Sequence, residues 1–184
     1  MRSLFLAVSL STLACLSMTG CATQKSPAEL DALLGVIGER LTIADPVALS
    51  KWDSGKPVED LPREQQVIDG AGARAAEFDL EQNDVQQLFR AQIEANKLVQ
   101  NALLAQWHAA GAAPALPRRS LTGDIRPQLD ILQTRLLQTY SAFVPLRKDP
   151  NCQAWLDAAR QRHTTDAIHD QGLVRATLGL CAGK

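Results

Sequence analysis

LEQNDVQQLFRAQIEANKLVQNALLAQWHAA, residues 80–110, is the longest helical segment that the sequence predicts. It is rich in Gln, Ala, Leu and Glu, which enter helices at little cost, and Gly111 and Pro114 stop it. At the helical period, Val85, Leu88, Phe89, Ile93, Leu103, Leu104 and Trp107 fall in one apolar sector. Gln92, Asn96 and Gln100 fall inside the same sector at four-residue steps. A buried amide without a partner costs on the order of 1–3 kcal/mol, so this ladder needs side chains, water or a ligand to satisfy it. A hydrogen-bonded core network is the common arrangement, a ligand site the rarer one, and both fit the helix by itself.

Upstream, Ser26-Pro27 predicts an N-cap followed by proline at the first helical position. Leu30, Leu33, Leu34, Ile37 and Leu41 then define one buried stripe with Arg40 at its edge. Asp45-Pro46 restarts the chain as a short helix carrying Val47, Leu49, Lys51 and Trp52, and Ser54-Gly55-Lys56-Pro57 is a turn. After Leu61-Pro62 a further helix runs through Val67 and Ile68 into residues 71–78, with Asp60 and Arg63 three apart at its start.

Downstream, a proline-rich loop at residues 113–119 leads to a third long helix over about 123–144. Its stripe is Ile125, Leu129, Leu132, Leu136, Tyr140 and Phe143, flanked by Arg135. Past the break at Asp149-Pro150-Asn151 come two more helices, one holding Trp155 and Leu156, the other Ile168, Leu173, Val174 and Leu178. Strand-like alternation of useful length is absent. The chain reads as an all-α single domain of about six helices.

The first 22 residues stand apart. Met1-Arg2 and the apolar run over residues 4–16, too short to span a bilayer, read as a signal segment, leaving residues 23–184 as the helical domain. Leu16-Ser17-Met18-Thr19-Gly20-Cys21 resembles a lipobox in which Cys21 becomes lipidated, while Gly20-Cys21-Ala22 fits ordinary cleavage. Either way the protein is exported, to the periplasm or beyond, and touches membrane only through a lipid on Cys21. Cys152 and Cys181 are the cysteines that remain, and in an oxidising compartment they most simply form one disulfide rather than two buried thiols. A net charge of -1 argues against a nucleic-acid partner.

Several chemistries lack their residues in this sequence. His108, His163 and His169 are scattered, and no residue group has metal-ligand spacing. Neither a glycine-rich phosphate loop nor a nucleophile elbow is present. What stands out is charge beside apolar faces: Arg40, Lys51, Arg63 and Arg135, with Asp60, Glu64, Asn96 and Gln100 on helices that can converge. Arginine forks suit planar carboxylates, and four cations against two carboxylates favour a small dicarboxylate bearing hydroxyl or ether oxygens.

These residues carry a resemblance. Arg40-Leu41, Ala44-Asp45-Pro46-Val47-Ala48, Lys51-Trp52, Pro57-Val58-Glu59-Asp60 and Arg63 are similar to the N-terminal signature of the exported all-α chorismate mutases. Phe89-Arg90-Ala91-Gln92-Ile93, Arg135 and the pair Cys152/Cys181 match as well, over nearly the whole mature chain. The resemblance implies a type II fold, rearrangement of chorismate to prephenate, a homodimer, and no cofactor or metal. By position it implies Arg40 and Arg135 on the substrate carboxylates with Arg63 assisting, and Lys51 and Gln100 on the ether oxygen. Asp60 and Glu64 would hold the ring hydroxyl, and Asn96 occupies a small polar position. Two alternatives remain beside it: a non-catalytic helical periplasmic binding lipoprotein, and an isochorismate-pyruvate lyase on the same fold.

Overall fold

The computed structural model describes residues 26–163 and 165–182. The expected signal segment and Cys21 lie outside them. The described chain forms α1 (Ala28–Thr42), α2 (Ala44–Ser54), α3 (Leu61–Ala73), α4 (Gln82–Ala110), α5 (Arg126–Phe143), α6 (Cys152–Arg162) and α7 (Ala167–Ala176). Short helical turns at Ala75–Phe78, Leu121–Ile125 and Val144–Leu146 lie between them, and no strand occurs among the described residues. Nor is any helix there long and apolar enough to cross a membrane.

α1 forms where the 3.6-residue period places it. Leu30, Leu33, Leu34 and Ile37 are fully buried, each burial being favourable by roughly 2 kcal/mol. Its start is one residue later than the sequence suggests. Pro27 occupies the N-cap without a side-chain cap, and Ser26 instead donates to the Asp31 carboxylate (3.1 Å) and accepts from Arg162. That exchange ties the beginning of α1 to the end of α6. At its other end α1 gives way to α2 across Ile43, so Asp45 and Pro46 sit in the first turn of α2, where proline lacks only a donor that has no partner anyway.

α4 is the spine, packed against α2, α3 and α7, while α5 packs against α1. Of the apolar sector read from its sequence, Val85, Leu88, Phe89 and Trp107 are buried and Ile93, Leu103 and Leu104 partly so, but Ala91, Ala95 and Val99 on an adjoining face are buried too. The cause is α7, which approaches through a side chain of zero length. A methyl group added at Gly172 would lie 2.6 Å from Val99 Cγ2 and 3.2 Å from Leu41 Cδ2. Gln92, first rung of the amide ladder, donates to the carbonyl of Ala176 at 2.9 Å, satisfying one of the acceptors a helix leaves open at its end.

The C-terminal helices differ from expectation in one respect. α7 stops at Ala176, so Leu178 lies beyond it and is exposed, and Val174 faces outward too. The face of α7 that goes inward carries Gly172, Leu173 and Ala176. The Cys152–Cys181 disulfide forms as expected, joining the first residue of α6 to the segment after α7. Arg147 reinforces the same corner by donating to Leu180 O (2.8 Å), Gly179 O (3.2 Å) and Asp84 Oδ2 (2.7 Å).

Candidate active site

The last turn of α1, the body of α2, the first turns of α3 and α5, the Leu121–Ile125 turn and the middle of α4 surround a cavity of about 220 Å³. Each wall brings its polar group for a local reason. Arg40 follows from its place on the edge of the α1 stripe: the helix is buried there, so the guanidinium is buried with it, 8% exposed, over the Phe89 ring with 5.4 Å to the centroid. Burial pushes its pKa down to about 10, which leaves it cationic at neutral pH. Its Nε has no partner among the described residues.

Lys51 reaches the cavity from α2, half-buried, its ammonium without a hydrogen bond or ion pair among the described residues. The start of α3 is built by a capping box. Asp60 is the N-cap and its Oδ1 accepts from Arg63 N (3.2 Å), while Glu64 Oε1 accepts from Asp60 N (3.1 Å). Asp60, Arg63 and Glu64 therefore arrive at the cavity as one preformed unit. Glu64 also holds Lys97 Nζ at 3.0 Å, and Lys97 has Glu94 at 2.8 Å and Glu59 at 3.6 Å. The hydrogen bond to Glu94, then that to Glu64, raises the Lys97 pKa and leaves it a structural cation, its charge spent on carboxylates.

From α4, Gln92, Asn96 and Gln100 all face the cavity, so the ladder serves both readings offered for it. Asn96 Nδ2 donates to Arg40 O (3.0 Å) and Gln100 Nε2 donates to Asn96 Oδ1 (2.9 Å). Gln100 Oε1 is buried without a partner among the described residues.

Seven of the eight residues expected in a site thus line one cavity; Arg135 does not. It lies half-exposed outside, forked onto Glu39 at 2.5 and 2.7 Å. The lining residues of α5 are Arg126, Leu129, Asp130 and Gln133, at the spacing of one helical face. Position 135 is nine residues on from 126, about half a turn out of phase at 3.6 residues per turn. Arg126 is the α5 arginine at the cavity, exposed at its rim and without an ion pair among the described residues. That spacing was the signal available in the sequence. Counting Lys97 and Asp130, five cations face three carboxylates. An uncompensated positive cavity with amides along its α4 wall can bind a small dianion and stabilise negative charge that develops on it.

These helices enclose a cavity of net positive charge, which makes the protein an all-helical domain with an anion-suited pocket. Residues 29–101 match the chorismate mutase type II family. The secreted chorismate mutase of Mycolicibacterium smegmatis is 31% identical over 180 residues, 94% of this chain and 99% of that protein. The secreted chorismate mutase of Mycobacterium tuberculosis is 30% identical over 192 residues, 98% of this chain and 94% of that one. The crystal structure of chorismate mutase from Burkholderia phymatum aligns with a TM-score of 0.79 at 41% identity, over 85% of this chain and 100% of its own. The chain belongs to the type II chorismate mutase family.

Proposed function

We propose that the protein is an exported chorismate mutase that rearranges chorismate to prephenate in this cavity. The observation that carries the reading is the buried guanidinium of Arg40, with Nε unpaired, flanked by Lys51 and Arg126, which also lack ion partners among the described residues. A buried charge without a counter-ion is costly, and a substrate carboxylate removes that cost. Family membership supplies the rest.

In this reading Arg40 and Arg126 hold the two carboxylates and compress the enolpyruvyl side chain over the ring, with Arg63 at the rim. The C–O bond of the ether breaks while a C–C bond forms within the same molecule. Negative charge grows on the departing oxygen, and Lys51 with the free N–H of Gln100 donates to it. Asp60 and Glu64, already oriented by their capping box, are within the same wall to take the ring hydroxyl. Neither nucleophile nor proton shuttle is needed, because orientation and fixed donors lower the barrier of an intramolecular step.

Incubating the purified protein with chorismate tests this directly. Loss of chorismate matched by prephenate is the expected result. Release of pyruvate would make it a lyase, and saturable binding without turnover a binding protein. The same reading includes export, and with it a homodimer whose chains each hold a complete site. Sedimentation of the mature protein tests the dimer, and its intact mass separates lipidated Cys21 from ordinary cleavage.

A further inference from the structure

The amide ladder has a direction, and the direction is set by an atom that cannot be reassigned. Arg40 O is a backbone carbonyl and can only accept, so Asn96 must present its Nδ2 to it, at 3.0 Å. Asn96 Oδ1 is then the atom that faces Gln100, and Gln100 must answer with Nε2, at 2.9 Å. Turning either amide over would bring oxygen against oxygen. Gln100 Oε1 has no partner among the described residues, so of their interactions the bond to Asn96 is the one that determines which end of the Gln100 amide faces which way.

From this geometry we infer that Asn96 is a positioning residue for the rearrangement: anchored on the Arg40 carbonyl, it locks the Gln100 amide so that its second N–H stays aimed at the ether oxygen. The inference rests on the mutase reading above. It assigns Asn96 no contact with substrate. Without Asn96, rotation of the terminal torsion of Gln100 exchanges N–H for C=O in the cavity, replacing a donor to the developing charge by a repelling acceptor. The arrangement also needs an amide at position 100. One N–H is used by Asn96 and the other is left for substrate, whereas a carboxylic acid has a single proton for both.

The test is a double-mutant cycle on chorismate turnover, with Asn96→Leu, Gln100→Met and the double variant. Asn96→Leu should lower kcat by about 10- to 100-fold, less than the ~10²–10³ for deleting a donor outright, and leave KM within about threefold because Arg40, Lys51 and Arg126 still bind the ground state. In the Gln100→Met background the same substitution should have almost no further effect on kcat. Equal losses in both backgrounds would mean that Asn96 acts structurally or by itself, and an Asn96→Leu enzyme at wild-type kcat would remove the role altogether. A readout independent of activity is the side-chain amide of Gln100 by NMR: one of its two protons should be protected from exchange in the wild type and lose protection in Asn96→Leu or Asn96→Ser. Two equally exposed protons in the wild type would overturn the inference even if every variant misfolds. Wild-type protein that binds chorismate and forms no prephenate, with the Gln100 proton still protected, would overturn the mutase reading and the catalytic half of this one, leaving the amide lock intact.

Discussion

At the floor of the cavity Arg40 keeps a guanidinium away from water, and no described residue compensates its Nε. Lys51 differs: it is half-buried, and its ammonium enters no hydrogen bond or ion pair among the described residues, so it contributes little to the fold. Lys51→Ala should therefore lose about 10²–10³ in kcat while its circular dichroism and melting temperature stay at wild-type values, and wild-type turnover would rule out this residue as the donor to the ether oxygen. The two arginines of α5 give a sharper contrast. Arg126→Ala should lower kcat/KM at least about 100-fold, whereas Arg135→Ala should leave it within about twofold; the reverse pattern would return the substrate carboxylate to Arg135. What Arg135→Ala removes is its fork onto Glu39. The hydrogen bond from Arg135 holds the Glu39 carboxyl below its usual 4.5, so the pair contributes stability above that pH and loses it as acid protonates Glu39. The variant should be slightly less stable than wild type at neutral pH, and the two should converge in acid, as urea midpoints would show.

At the scale of elements, the stripes of α1 and α5 and the extent of α4 were legible because burial on one face leaves a period in the sequence. The site was legible in its residues but not in its partition between two arginines. Arg126 and Arg135 border opposite edges of the α5 stripe, half a turn apart by their spacing, but nothing in the stripe marks which edge faces the cavity. The amide ladder was visible as polar residues on a buried face, while its partners, the carbonyls of Arg40 and Ala176, are backbone atoms that no side-chain pattern marks. Interhelical distance is equally silent. Gly172 reads as an ordinary small residue, yet α7 sits against α4 and α1 through it. Gly172→Ala should cost about 1–3 kcal/mol, because Val99 is β-branched, holds one favoured rotamer in a helix and cannot turn aside. Urea unfolding should show a lower midpoint at unchanged slope, and Gly172→Ala combined with Val99→Ala should lose less than the sum of the two single losses. Strict additivity would mean that the helices do not meet where the geometry places them.

For the whole molecule, stability and chemistry are held at different ends. Every residue that lines the cavity lies between positions 40 and 133, whereas the disulfide and the Arg147 contacts hold residues 147–182 to one another and to Asp84 at the start of α4. The covalent link spans 29 positions, a loop whose closure restricts the unfolded chain by about 3–4 kcal/mol in the entropy model. Since Arg147 still ties Gly179 and Leu180 in place, the native arrangement survives without the link and only the balance with the unfolded state shifts. Replacing Cys152 and Cys181 together by serine should thus lower unfolding free energy by about that amount, with kcat and KM for chorismate unchanged at temperatures where the variant remains folded. Wild-type protein under reducing conditions should follow the variant. α7 connects the far end to the site through Gln92 on Ala176 and Gly172 beside Val99. A folded double-serine variant with reduced kcat would therefore mean that the disulfide sets the seat of α7, and through it the cavity wall, rather than acting on the unfolded chain alone.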